Sequence, residues 1–294
     1  IMKIGINQFC WPMTMDILDI ASRSKQLGFE SLEVCFTAGS LTQSRTASVT
    51  DTLDISAYYN RLLNIESGDN DFYELKRISD DSGISFGSIG GIISFSIYPL
   101  TSPDRKVYEK CNFAIRRMID AANILGAKTV QVIPGMLTSE MDYERTFDLV
   151  QSRLADLAAG AGGINLAIEN VWNNFLYSPL EINRLIDETG QMNLGVYFDI
   201  GNARRFGYPE QWIRTLGHRI KMVHCKDYRM SVDNIHGFTN LLDGDVNYPA
   251  VITALNEAGF HGDFILELIP PARYEIEMTF LHGLNVLKTL LNRK

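Results

Sequence analysis

Eight short runs of apolar and β-branched residues, each followed by a longer stretch with helical periodicity, restrict this chain to very few folds. The runs are Lys3–Asn7, Ser31–Phe36, Ile84–Ile89, Thr129–Ile133, Asn165–Glu169, Gly195–Asp199, Met222–Lys226 and Phe264–Leu268. Such alternation is the mark of repeated βα units, and a helix between two strands leaves them parallel. Eight units are the number that closes a parallel sheet on itself. The pattern therefore predicts an α/β protein built as one eight-stranded parallel (β/α)8 barrel, with residues 1–294 in a single domain. At 294 residues, 46% of them hydrophobic, the chain is long enough to bury the one large core this requires.

The joints between units support the repeat. Leu27-Gly28-Phe29, Ser82-Gly83-Ile84, Leu125-Gly126-Ala127 and Ala258-Gly259-Phe260 each place a glycine where a helix ends in a left-handed cap before the next strand. In the first helix Ile17, Leu18, Ile20, Ala21 and Leu27 recur at helical spacing, with Arg23, Lys25 and Gln26 suited to the other face. Two connections exceed the usual length, Thr37–Asn70 after the second strand and Asp227–Tyr248 after the seventh. Both are expected over the active face, and Ile55–Leu63 within the first reads as helical.

A formal net charge of −8 supplies no general positive field for nucleic acid or an anionic membrane. Cysteines at 10, 35, 111 and 225 are too dispersed for a metal knuckle and too few for a disulfide framework, which suits reduced thiols and a cytoplasmic setting. The N-terminal residues lack a basic segment followed by a long apolar one, and no run approaches the length of a membrane span, so neither a signal peptide nor a span is expected.

Barrels of this kind carry their chemistry at the C-terminal ends of the strands. Four consecutive runs end there in a titratable residue: Glu169 on the fifth, Asp199 on the sixth, His224 on the seventh and Glu267 on the eighth. Taken singly, a strand-end carboxylate is a solvated rim residue and Lys226-Asp227 a surface ion pair. Three carboxylates and one imidazole at one rim, with no thiolate, instead suit a single divalent ion, Mn²⁺, Mg²⁺, Co²⁺ or Zn²⁺. Strand alternation points Lys226 the same way as His224, toward a substrate oxygen or phosphate, and turns Cys225 to the opposite face.

Weaker signals remain open between function and structure. Gly90-Gly91 after the third run suits either phosphate-binding amides or a turn requiring positive φ. Trp11 and Phe9 suit either an apolar pocket wall or simple packing. His218, His236, His261 and His282 have no partner at a ligand spacing, and Cys10 and Cys35 have no base at a readable distance, so no nucleophilic dyad is indicated.

Over its whole length the chain resembles the xylose isomerase-like TIM barrel superfamily of sugar and sugar-phosphate isomerases and epimerases. The specific residues are Ala167-Ile168-Glu169-Asn170, Tyr197-Phe198-Asp199-Ile200-Gly201-Asn202, Val223-His224-Cys225-Lys226-Asp227, Leu242-Asp243-Gly244-Asp245-Val246 and Gly262-Asp263-Phe264-Ile265-Leu266-Glu267. They are similar to the pentulose-phosphate 3-epimerase and hexulose-phosphate isomerase branch, with its Asp-x-Gly-Asn turn and His-x-Lys-Asp strand end. The resemblance implies Glu169, Asp199, His224 and Glu267 as metal ligands, with both Glu moving protons; Lys226, Asn202, Arg229 and Trp11 are the candidates for contact with the substrate. Free-ketose 3-epimerases carry a His where this chain has Asn202 and an Arg where it has Met230, Arg229 falling one place short.

The implied activity is isomerisation or epimerisation of a small ketose or ketose phosphate by proton transfer through a cis-enediolate. Two alternatives are a sugar-binding barrel without turnover and a phosphodiesterase of the endonuclease IV type. The latter needs several His for a trinuclear zinc cluster, whereas this chain has five, none before residue 218. A small-molecule sugar is the expected partner, and homo-oligomerisation stays open.

Overall fold

The computed structural model describes residues 2–12, 14–38, 60–268 and 274–292. In chain order its strands are β1 (Ile4–Asn7), β2 (Ser31–Cys35), β3 (Ser85–Gly90), β4 (Thr129–Val132), β5 (Asn165–Glu169), β6 (Leu194–Asp199), β7 (Ile220–Cys225), the two-residue β8 (Asp227–Tyr228) and β9 (Phe238–Thr239), and β10 (Phe264–Leu266). Eight of them close a barrel in the order β1-β10-β7-β6-β5-β4-β3-β2, with every neighbouring pair parallel, as the repeat predicts. The helices are α1 (Ile17–Leu27), α2 (Asp69–Ser82), α3 (Ile93–Ser96), α4 (Arg105–Leu125), α5 (Tyr143–Ala159), α6 (Pro179–Asp187), α7 (Ile200–Phe206), α8 (Pro209–Leu216), α9 (Tyr248–Glu257) and α10 (Ile276–Leu290).

Local chemistry explains where these helices start and stop. Asp16, Asp104 and Asp142 each accept a backbone N–H of the first turn of α1, α4 and α5, satisfying donors that have no partner inside a helix. α6 begins with a reciprocal pair, Ser178 and Glu181 each bonding the other's backbone N–H, with Pro179 in the first turn. The four joint glycines, 28, 83, 126 and 259, all have positive φ.

The apolar residues divide into two cores. The larger lies between strands and helices and takes in Leu32 and Val34 of β2, Leu166 and Ile168 of β5, and Val196 and Phe198 of β6. The smaller, Ala167, Tyr197, Met222 and Ile265, is a separate cluster. Each of its members stands two residues before Glu169, Asp199, His224 or Glu267. Strand alternation therefore puts the cluster on the same inner face as those four, one layer beneath them.

Both long connections are organised by polar anchors. Asp227 accepts the backbone N–H groups of Tyr228, Leu242 and Val246, gathering the connection that contains β8 and β9. In the earlier connection residues 39–59 lie outside the described residues, and with them most of the helix expected over Ile55–Leu63. Its last part, residues 60–63, forms a turn in which the Asn60 side chain accepts the Leu62 N–H.

Gly262 precedes β10 where two strands crowd together, and a Cβ added there would sit 2.0 Å from the Lys221 carbonyl oxygen. The backbone would have to move. Gly262→Ala is expected to lower stability by about 1–3 kcal/mol, read as a reduced melting temperature, and an unchanged melting temperature would contradict this packing.

Candidate functional site

Strand ends deliver the four predicted ligands to one buried point. Glu169 ends β5, Asp199 ends β6 and begins α7, His224 is the penultimate residue of β7, and Glu267 follows β10 directly. One oxygen or nitrogen of each lies within 4.8 Å of the others. His224 Nδ1 is 3.1 Å from Glu169 Oε1, 3.6 Å from Glu267 Oε2 and 3.9 Å from Asp199 Oδ2. Lys226 lies one residue past β7, its ammonium 2.6 Å from Asp199 Oδ2 and paired also with Glu267.

Each of the four side chains is held by a neighbour. Gln131 Nε2 donates to Glu169 Oε2 at 3.0 Å, while its Oε1 accepts the Gly91 N–H at 2.8 Å. Asn7 Nδ2 donates to Glu267 Oε1 at 3.0 Å, and the Asn202 N–H to Asp199 Oδ1 at 2.8 Å. Asn170 bonds both the N–H and the carbonyl of Asp199. On the far side of His224, Nε2 faces the carboxylate of Glu33, 3.1 Å away.

Burial sets the electrostatics. Desolvation raises the Glu169 carboxyl to about 7 despite the opposing pull of His224, and it raises Asp199 as well, against Lys226. Burial alone would raise Glu267, but His224 and Lys226 outweigh it and hold that carboxyl below its usual range. Burial would likewise lower His224 and Lys226, yet the surrounding carboxylates raise both.

The donor set fits a divalent cation. Asp199 Oδ2 is buried, with the Lys226 ammonium 2.6 Å away as its one charged neighbour of opposite sign besides His224 among the described residues. Lone pairs of three carboxylates and one imidazole converge there, and four buried carboxylates, counting Glu33, face only one ammonium and one imidazole. A double positive charge would neutralise most of that excess. The thiols are poor rivals: burial pushes Cys111 up to about 12 and raises Cys10, Cys35 and Cys225 as well, and all four are free and buried.

The structure redistributes the other sequence candidates. Lys226 and Asp227 are no surface pair: both are buried, Lys226 on the ligands and Asp227 on backbone amides. Trp11 is buried, and its ring meets Phe280 of α10 with centroids 4.9 Å apart. Phe9 is buried too. Asn202 is beside the site, but its side-chain amide donates to the Asn170 carbonyl. Arg229 is exposed, its Nε donating to the Asp243 carbonyl within the β7–α9 connection. Neither Gly90 nor Gly91 has positive φ, and the Gly91 N–H is held by Gln131. What Gly91 supplies is room: a Cβ would stand 2.0 Å from the Gln131 carbonyl oxygen.

Sequence reasoning missed Glu33, Gln131, Asn7 and Tyr197. Their signal was present. Leu32-Glu33-Val34 and Val130-Gln131-Val132 each set one polar side chain between two apolar ones inside a strand. In a barrel whose outer face is covered by helices, such a residue must point inward.

The fold and this constellation place the chain in the xylose isomerase-like TIM barrel family, which matches residues 21–289. The chain belongs to that family. Among its relatives are the L-ribulose-5-phosphate 3-epimerase-like protein SgbU of Haemophilus influenzae, 23% identical over 90% of this chain and 88% of the relative, and an inosose dehydratase of Geobacillus thermodenitrificans, 30% identical over 40% and 44%. The chain spans about half the length of the first curated relatives it matches, 57% and 44%. Among solved structures, that of a D-tagatose 3-epimerase-like protein superposes with a TM-score of 0.76 at 20% identity, covering 99% of this chain and 97% of the other.

Metal analysis of the purified protein is expected to give about one divalent ion per chain, with His224→Ala weakening binding at least about tenfold. Full occupancy in both His224→Ala and Asp199→Ala would remove the site. Below pH about 7 Glu169 holds a proton that an arriving cation must displace, and the raised His224 must lose one too. Affinity is therefore expected to rise with pH toward 7, by about tenfold per unit for each proton displaced. An affinity independent of pH between about 5.5 and 7 would contradict this arrangement.

Proposed function

We propose that this chain is a divalent-metal-dependent isomerase or epimerase of a small ketose or ketose phosphate, working by proton transfer through a cis-enediolate. The observation that carries the proposal is the approach of two glutamates to one buried point from well-separated strands, β5 and β10, with β6 and β7 between them. The family supports it, as do relatives whose names describe ketose and ketose-phosphate 3-epimerases, including a D-psicose 3-epimerase solved in the presence of D-fructose.

Glu169, Asp199, His224 and Glu267 would hold the ion, which when bound supplies Lewis acidity to a ketose carbonyl and its neighbouring hydroxyl. The remaining chemistry belongs to the side chains. One glutamate takes the proton from the carbon beside the carbonyl. The other, already protonated, gives its own proton to the opposite face for an epimer, or a proton goes to the adjacent carbon for an aldose–ketose isomer. Gln131 and Asn7 hold the two carboxylates in place, each bonding the oxygen not turned to His224 or Lys226. Lys226 is the cation offered to a substrate oxygen or phosphate, and Phe238 lies under its ammonium at 5.0 Å. The inner apolar layer below excludes water from the barrel side of the site.

The inosose dehydratase relative favours a second outcome of the same first step, in which the carbanion expels a neighbouring hydroxyl. A screen of ketoses, their phosphates and inososes with Mn²⁺, followed by product NMR, separates the outcomes. A barrel that only binds sugar would leave substrate hydrogens unexchanged.

Turnover in D₂O is expected to place deuterium at the reacting carbon of product and of recovered substrate. Glu169→Gln and Glu267→Gln should each lower kcat steeply, with different exchange patterns if each serves one face. Complete retention of the substrate hydrogen during turnover would sink the proton-transfer mechanism. Lys226→Met is expected mainly to raise KM, and a loss confined to kcat would assign the lysine another role.

A further inference from the structure

Glu33 is the one site carboxylate that stands outside the four converging side chains, meeting His224 directly and Glu267 through Asn7. It is fully buried in the middle of β2, and its only ion-pairing partner among the described residues is His224. A carboxylate this deep requires donors on every lone pair, and it has them. Asn7 Nδ2 donates at 2.7 Å, Ser88 Oγ at 3.0 Å, and the Tyr197 hydroxyl donates as well, while His224 Nε2 lies 3.1 Å from one oxygen and 3.2 Å from the other.

The two nitrogens of His224 face different carboxylates. Nδ1 looks at Glu169, Asp199 and Glu267, and Nε2 looks at Glu33. Carboxylates stand 3.1 Å from both nitrogens, so a cation shared by Glu169, Asp199 and Glu267 would decide the tautomer: it needs a lone pair on Nδ1, and Glu33 is placed to accept the hydrogen from Nε2. The lone pair is then left on Nδ1, where the other ligands converge. The same group of residues holds the ring, since Tyr197 packs against the imidazole at a tilt of 43° with centroids 4.2 Å apart and bonds Glu33 through its hydroxyl. Asn7 extends the arrangement, its Nδ2 serving both Glu33 and Glu267. The strand pairing shifts register between Leu32 and Glu33 and again between Val196 and Tyr197, so the barrel departs from regular pairing at the two residues that meet here.

We propose that Glu33 is the positioning residue of the metal centre: it fixes His224 as an Nδ1 ligand and, through Asn7, sets the direction of Glu267. It touches neither substrate nor reacting atoms. The proposal rests on the metal reading above and refines it.

The test uses the whole chain, with Mn²⁺ for affinity and Zn²⁺ as a diamagnetic probe for NMR. In the Zn²⁺-loaded wild type, the spectrum of ¹⁵N-labelled histidine is expected to show the His224 hydrogen on Nε2, protected from solvent and shifted downfield. Glu33→Gln should raise Kd for both ions about 10–100-fold and move that resonance upfield, with the metal-free fold retained by circular dichroism. Glu33→Asp, which keeps the charge but is shorter, should recover part of the affinity. A hydrogen on Nδ1 in the wild type, or Glu33→Gln binding within about twofold of wild type, overturns the proposal. Should Glu33→Gln fail to fold, the wild-type spectrum decides alone. Wild type that binds neither ion overturns the metal reading together with this inference, whereas equal binding by wild type and variant overturns only this inference.

Discussion

Four carboxylates, one ammonium and one imidazole share the closed inner face of a barrel, and the arrangement of the site follows from having to keep that charge there. Desolvating an unpaired ion costs several kcal/mol even after relaxation, so each carboxylate is met by donors from other strands. Gln131 of β4 reaches Glu169, Asn7 of β1 reaches Glu267, and Tyr197 of β6 crosses to Glu33 of β2. The barrel is thus tied through its centre as well as by its backbone ladder. Beneath lies the layer of Ala167, Tyr197, Met222 and Ile265, which keeps water from relieving the charge on that side.

The surrounding connections continue the same logic. Asp227, next to the site lysine, accepts three backbone N–H groups and so fixes the connection that carries β8 and β9. That connection brings Phe238 under the Lys226 ammonium and stacks it on Trp172 with ring centroids 4.9 Å apart. Arg205 lies over the Trp172 ring at 4.4 Å, so each of the two stacked rings meets a cation. The lysine is therefore positioned by anions on one side and by an aromatic face on the other.

Much of this was legible in the sequence because two periodicities coincide. Apolar runs marked the strands, glycines such as Gly28 and Gly83 marked the helix ends, and titratable residues closing four consecutive runs marked the rim. Glu33 and Gln131 were hidden because they stand inside their strands, where a pattern search for strand-end residues does not look. Trp11 was ambiguous for a different reason: a residue just after a strand can turn toward the pocket or toward the outer helices, and its ring meets Phe280 of α10. Arg229 illustrates the limit of spacing arguments in a connection, where hydrogen bonds such as that to the Asp243 carbonyl, and not strand alternation, decide direction.

The proposed chemistry requires a divalent ion at one place, held through particular atoms. Anomalous diffraction at the manganese edge from crystals grown with Mn²⁺ addresses both directly. The predicted result is a single peak about 2.0–2.3 Å from carboxylate oxygens of Glu169, Asp199 and Glu267 and from Nδ1 of His224. A peak elsewhere in the barrel, or one ligated through Nε2 of His224, would contradict it.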